Sequence, residues 1–411
     1  VTEAELPIRA GKPEDWGGVG PLLREVFHDA HDPEPPDVDR EVFEPDRALV
    51  VDDQGRVVAH AGAFTRELTV PGAVVPAAHV TMVGVLPTHR RRRLLTRMMH
   101  RQLREVRDAG REPIAVLWAS EGRIYQRFGY GPAAQRLQLK LDTREVALTG
   151  SQTPAGGRLR AGTPAAVQIE LAKVYDQLRP DRPGWSSRDD RWWRYVLADP
   201  PSRRAGATER RAVLHEGAAG IDGYALWSAR GSWTDDGPNG EVIVGTVVAG
   251  STRAYRALWG FLLGVDLTRT VSYWAGSVDE PLLYLVDEPR RLGARLSDSL
   301  WVRVVDVPAA LAARRYATEV DVVLEVTDPM FPENRGRWRL AGDPGGATCT
   351  PTDAAPDIAC HVTDLAAAYL GGPSLGALAG AGRVRELRRG TLGPASAAFG
   401  WHRAPAAHEV F

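Results

Sequence analysis

A strand that runs into an arginine-rich turn and then an amphipathic helix leaves a chain few ways to fold. Residues 79–95, HVTMVGVLPTHRRRRLL, have that form. Val80 to Val85 alternates and β-branches as a strand does, and Pro87 and Thr88 interrupt it. Leu94, Leu95, Met98, Met99, Leu103 and Val106 then recur at helical spacing as far as Gly110. The spacing predicts that the four arginines 90–93 form the first turn of a helix packed on a sheet. The leading amides of such a helix lack internal partners and cradle an anion.

An arginine run by itself suits a solvated face or a nucleic-acid patch as well as a phosphate site. The formal net charge of −1 supplies no general pull toward nucleic acid. The flanks favour the phosphate reading. IAVLWAS, residues 114–120, follows where a β-α-β unit places its second strand, and EGRIYQRFGYG then forms a short turn closed by Gly129 with Tyr125 inside it.

The order V-G-V-L-P-T-H-R-R-R-x-L-L, then A-S-E-G-x-I-Y-x-R-F-G-Y-G, resembles the acetyl-CoA motif and following loop of the GNAT acyltransferases. More narrowly it is similar to the Eis (enhanced intracellular survival) group of aminoglycoside and amine N-acetyltransferases. The resemblance implies acetyl-CoA as co-substrate. Its pyrophosphate would lie on the amides of Arg91, Arg92, Arg93, Leu94, Leu95 and Thr96, and its pantetheine arm would pair with Val83, Gly84 and Val85 beside Ser120 and Glu121. Tyr125 has the place of the proton donor to the departing thiolate. The general pattern [Q/R]-x-x-G-x-[G/A] lands on Arg90, Arg93 and Leu95, so an arginine replaces the glycine. With φ kept helical Arg93 still offers its amide, and cofactor binding is expected to persist with altered affinity.

At 411 residues the chain has room for two to four domains. The fold class expected is α/β, with two tandem GNAT-like domains and a sterol-carrier-like third. The first domain, 1–148, is expected to close with a strand at 136–142. A polar, glycine-rich break at 147–157 leads to a second domain, 149–292. There EVIVGTVVAGSTRAYRALWGFLL repeats the strand-to-helix punctuation of the first motif without its arginines or a tyrosine turn. This reads as a degenerate copy without a cofactor site. From 293 to 411 strands and alanine-rich helices follow, a region that in the family is sterol-carrier-like and whose helices equally suit a lipid pocket, an interface or a scaffold.

No stretch reaches membrane-spanning length without charge, and no basic segment precedes an apolar one at the start, so a cytoplasmic location and no membrane partner are expected. The two cysteines, Cys349 and Cys360, read as small buried hydrophobes. His28 and His31 lie among aspartates in the acidic stretch 28–46, but without a second ligand cluster no metal site is expected. That stretch is either a solvated loop or a negative rim that concentrates cationic amines, with Asp29 the best single candidate. The end, RAPAAHEVF, carries a further expectation from the resemblance. The ring of Phe411 anchors in the active domain and its α-carboxylate acts as base, with Glu409 as fallback base and contributor to a negative pocket. A homo-oligomer, a hexamer in the family, is likewise implied. The competing reading is a lipid or small-molecule binding protein using the third domain.

Overall fold

The computed structural model describes residues 5–29, 38–150 and 157–411, and the chain forms two compact units. The first unit holds a seven-stranded sheet. In spatial order its strands are Arg9–Ala10 (β1), Leu49–Asp53 (β2), Arg56–Val70 (β3), Ala73–Val85 (β4), Ile114–Trp118 (β5), Leu300–Val304 and Gly131–Pro132 (β6). Every neighbouring pair is antiparallel except β4 and β5. That parallel pair needs a crossover, and the helix Leu94–Ala109 supplies it. It buries Leu94, Met98, Met99, Leu103 and Val106 as the spacing predicts, and ends on Gly110 in the left-handed region. Trp16–Phe27 forms a second helix, whose Trp16, Val19 and Leu22 share a core with β2 and β3.

Three expectations are corrected here. The arginine run is not the first turn of the helix: a 3-10 turn covers Pro87–His89, and the α-helix starts at Leu94 with Arg93 as its cap. Nor does Arg93 keep a helical φ, since it stands at φ +61°, ψ +12°. The strand expected to close the first sheet, Gln135–Asp142, pairs instead with Thr268–Gly276 in the second unit. Its alternation was legible in the sequence, but its partner was not, because period-two patterning fixes which face a residue takes and not which strand lies beside it.

The second unit's sheet repeats the succession of the first: Arg158–Gly162, Arg211–Gly217, Gly220–Arg230, Gly240–Ala249, Thr268–Gly276, then Gln135–Asp142 and Arg295–Asp298. A helix, Thr252–Leu263, again links the parallel pair. Each sheet therefore takes its sixth strand from the stretch that follows the other sheet's edge strand. Gly131–Pro132 is followed by Gln135–Asp142, and Arg295–Asp298 by Leu300–Val304.

The rest of the first unit is a five-stranded mixed sheet of Ala347–Pro351, Gly336–Gly342, Val320–Thr327, Ile358–His361 and Val384–Glu386. Its helix Val362–Ala368 is buried throughout and lies against β6 so closely that a Cβ on Gly131 would collide with its backbone. Fully buried Arg314 fills the space between helices, under the rings of Tyr316, Tyr369 and Phe399, with guanidinium hydrogen bonds to the carbonyls of Tyr369 and Phe399.

Candidate active site

β4 and β5 pair over only three positions, Ala77↔Ile114, Ala78↔Ala115 and His79↔Val116. β4 continues to Val85 and β5 to Trp118 without further pairing, so the sheet forks beyond His79. A β-bulge sharpens the fork. Pairing of β4 with β3 slips between His60 and Gly62, and Met82 takes a left-handed φ of +52°. His60, fully buried, bonds the Met82 carbonyl through Nδ1 at 2.7 Å. Burial pushes its pKa down to about 4, so the ring is neutral and Nδ1 carries the donated hydrogen.

At the open end lies the arginine loop. Arg90 has φ −65°, Arg91 +66° and Arg93 +61°, and Arg92 stays outside the positive region, so φ alternates in sign over the run. Successive amides in such an alternation converge into an anion-binding concavity, here continued by the helix N-terminus at Leu94. The local conformation is one that glycine adopts freely and arginine at a cost, which explains why the general motif has glycine where Arg93 stands. A fork with unpaired strand edges leading to a cationic nest fits a ligand with an amide-bearing arm and a pyrophosphate.

Tyr125 sits in the short helix Gly122–Gln126, capped by Glu121 directly after β5 and Ser120. It shares one apolar cluster with Val80 and Leu117, the residues flanking the fork, and Val83 and Leu95 pack on the same cluster. Burial first, and the Glu121 charge second, push its hydroxyl up to about 12. The phenol therefore holds its proton throughout the neutral range.

The support beneath this tyrosine was not visible in the sequence. Arg303, on the Leu300–Val304 strand, is fully buried in a 2.7 Å ion pair with Asp328. Its guanidinium fills the place a Cβ on Gly129 would take. Gly129 also has φ +85°, so the turn that sets Tyr125 and Tyr130 edge to face at 6.0 Å admits glycine alone for two reasons. No local signal marks Arg303 for this role, because Asp328 and Gly129 are distant in sequence.

Asp29 is exposed, just past the helix Trp16–Phe27, with its amide closing on the Arg24 carbonyl. Val26 of that helix packs against Gly84, so Asp29 lies near the open end of β4. His31 and residues 32 to 37 of the acidic stretch fall outside the described residues. Phe411 groups with the first unit, its ring centroid 4.7 Å from that of His79, at the closed end of the fork. Glu409 belongs to the second unit, where it is buried and paired with Arg188 at 2.7 Å. Among the described residues no cluster of histidine, cysteine or carboxylate has metal-binding geometry, and no helix is long and apolar enough to cross a membrane.

The family described as Acetyltransferase (GNAT) domain matches residues 7–133, a second family of the same description matches 184–304, and the Sterol carrier protein domain family matches 307–407. A protein of Streptomyces avermitilis named as an uncharacterized N-acetyltransferase is 44% identical over 400 residues, covering 97% of this chain and 98% of that one. N-acetyltransferase Eis of Mycobacterium tuberculosis is 37% identical over 401 residues, 94% of each chain. The crystal structure of Eis1 from Mycobacterium abscessus superposes with a TM-score of 0.84 at 32% identity, covering 98% of this chain and all of that one. With two GNAT domains, a sterol-carrier-like third and likeness along nearly its whole length, the chain belongs to the Eis group of GNAT N-acetyltransferases.

Proposed function

We propose that the enzyme transfers acetyl from acetyl-CoA directly to a small cationic amine of the aminoglycoside or lysine-like class. The observation that carries this reading is the fork between β4 and β5, with the alternating-φ arginine loop at its open end, Tyr125 in its flanking cluster and Phe411 at its closed end. Arg91, Arg92, Arg93, Leu94, Leu95 and Thr96 hold the pyrophosphate of the co-substrate, which supplies the activated acetyl group. Val83, Gly84 and Val85, with Ser120 and Glu121 opposite, orient its amide arm. Asp29 attracts the cationic acceptor.

The α-carboxylate of Phe411, with a reference pKa near ~3.5, is ionised at neutral pH and accepts the ammonium proton, directly or through water. The freed amine attacks the acetyl carbonyl, the carbon–sulfur bond breaks, and the second proton shed by the nitrogen replaces, through water, the one Tyr125 gives the sulfur, so that one proton per turnover reaches solvent through the carboxylate. Tyr125 meets the departing sulfur with its hydroxyl. A phenol this weakly acidic donates a hydrogen bond first, and gives up the proton once the sulfur carries charge.

Thiol release measured over a panel of amines, with product mass spectrometry, tests the activity and identifies the acceptor. Tyr125→Phe is expected to lower kcat by about 10²-fold or more with acetyl-CoA binding retained. Deleting Phe411, or extending the chain beyond it, is expected to abolish turnover while cofactor binding and fold persist. Undiminished kcat/KM in the extended enzyme rules out the terminal carboxylate as base. Light scattering tests the homo-oligomer, a hexamer on the family's pattern, and a monomer mass removes it. No acetyl-CoA turnover with any amine, alongside tight lipid binding, would favour the alternative of a lipid or small-molecule carrier that uses the third domain.

A further inference from the structure

The second unit lacks the arginine loop and the tyrosine turn, yet it holds a built socket for the segment Ala406–Glu409, which groups with it. The Arg188 guanidinium lies over the Tyr175 ring at 3.9 Å and the Trp193 ring at 4.7 Å. Trp185 stacks on Tyr175 at 4.9 Å with 1° between the planes. Into this aromatic box comes the tail. Ala406 donates its amide to the Pro183 carbonyl at 2.9 Å, and Gly184, at φ +93°, leaves room for the Ala406 carbonyl that any Cβ would strike. The His408 ring sits 4.8 Å from Trp185, and burial drives its pKa down to about 3. Glu409 closes the set with its 2.7 Å pair to Arg188, the side chains only 9% and 2% exposed.

A buried arginine between two ring faces, paired with a carboxylate, is an expensive way to fasten a chain end. Both charges leave water, and the pair holds only while each has the other. A tie of this kind at Glu409 also restrains the two residues that follow it. Those residues are exposed Val410, and Phe411 against His79 at the fork.

We propose that Arg188 is a positioning residue for catalysis, which by holding Glu409 fixes the place of Phe411. The inference rests on the reading of the Phe411 carboxylate as base. Glu409, on this account, is an anchor and not a base.

The test uses the full 411-residue chain. Carboxypeptidase A, which removes C-terminal aromatic residues, reports whether Phe411 is held, independently of activity. Arg188→Ala and Glu409→Gln are each expected to raise Phe411 release about tenfold or more and to lower kcat by a similar factor, because breaking a buried pair leaves its partner uncompensated. Acetyl-CoA affinity should stay close to wild type in Glu409→Gln, whose unfolding midpoint falls because buried Arg188 loses its partner, so release is measured well below that midpoint. Arg188→Lys, which keeps the charge, should recover part of kcat. Release unchanged in Glu409→Gln overturns the proposal, and so does faster release with kcat unchanged in a protein that loses turnover when Phe411 is deleted. If deletion of Phe411 leaves turnover intact, the reading of the terminal carboxylate fails instead, and the release rates still show whether Arg188 holds the tail.

Discussion

Arg93 does not take the helical shape that its place in the motif suggests. We propose it as a phosphate-loop residue, and the left-handed φ it adopts is the conformation for which the general pattern keeps glycine. A non-glycine residue held there costs roughly 1–3 kcal/mol. Glycine in its place loses about 0.5–1 kcal/mol in the unfolded chain. Arg93→Gly is therefore expected to stabilise the fold by up to about 2.5 kcal/mol, read as a rise in the urea midpoint at constant slope. It removes one positive charge as well, so acetyl-CoA should bind more weakly and with a shallower salt dependence. Arg93→Asn separates the two effects, because asparagine tolerates the left-handed region without the charge. If both variants bind as tightly as wild type at low salt, the side chain contributes nothing to the phosphate site and only the loop backbone matters.

At the scale of elements, the site depends on two strands failing to stay together. β3 and β4 pair along their length with one bulge, at Met82, beyond which Gly84 and Val85 still pair with His60 and Ala59, whereas β5 leaves β4 after three positions. His60 pins the bulge from β3 by its bond to the Met82 carbonyl. Because burial lowers the folded pKa of His60 to about 4, against 6.5 in the unfolded chain, the unfolded state binds the extra proton between those values. The stability gained from this residue is complete above pH 6.5 and is lost as the pH falls toward 4. At 1.36 kcal/mol per unit the loss is about 3 kcal/mol. His408 titrates in the same sense with a folded pKa of about 3, and nearby Asp15 acts against the shift at His60, so the wild-type slope is a composite. The difference between wild type and His60→Asn isolates the term. The amide of asparagine can still reach the Met82 carbonyl but takes no proton, so its urea midpoint should fall less between pH 7 and pH 4.5. Parallel pH profiles for the two proteins would show that His60 is not buried neutral.

For the whole molecule, what the sequence disclosed and what it withheld divide by range. Strand, turn and helix around residues 79–95, the tyrosine turn and the repeated strand-to-helix pattern depend on neighbours in sequence, and they were legible. The partners of Arg303, of Arg188 and of the strand Gln135–Asp142 lie 25, 221 and over a hundred residues away, and no local pattern names them. The reciprocal exchange of sixth strands has a direct consequence. A fragment cut at residue 148, where the linker invites a boundary, ends with Gln135–Asp142 stripped of its neighbour Thr268–Gly276. It also lacks Leu300–Val304, whose Leu300, Trp301, Val302 and Val304 are all buried. At about 1.5–3 kcal/mol for each buried apolar side chain, those four account for roughly 6–12 kcal/mol. That is comparable with the whole net stability of a domain, about 5–15 kcal/mol. The missing strand also leaves β5 as an open edge ready to pair with other chains. We therefore expect fragment 1–148 to aggregate, and fragment 135–298, which keeps all seven strands of its sheet, to remain monomeric with native-like circular dichroism. Supplying residues 299–411 in trans should rescue fragment 1–134, because it restores both the strand and the Arg303–Asp328 pair beneath the tyrosine turn. A monomeric 1–148 fragment that unfolds cooperatively would show that the exchanged strand is dispensable to the first sheet.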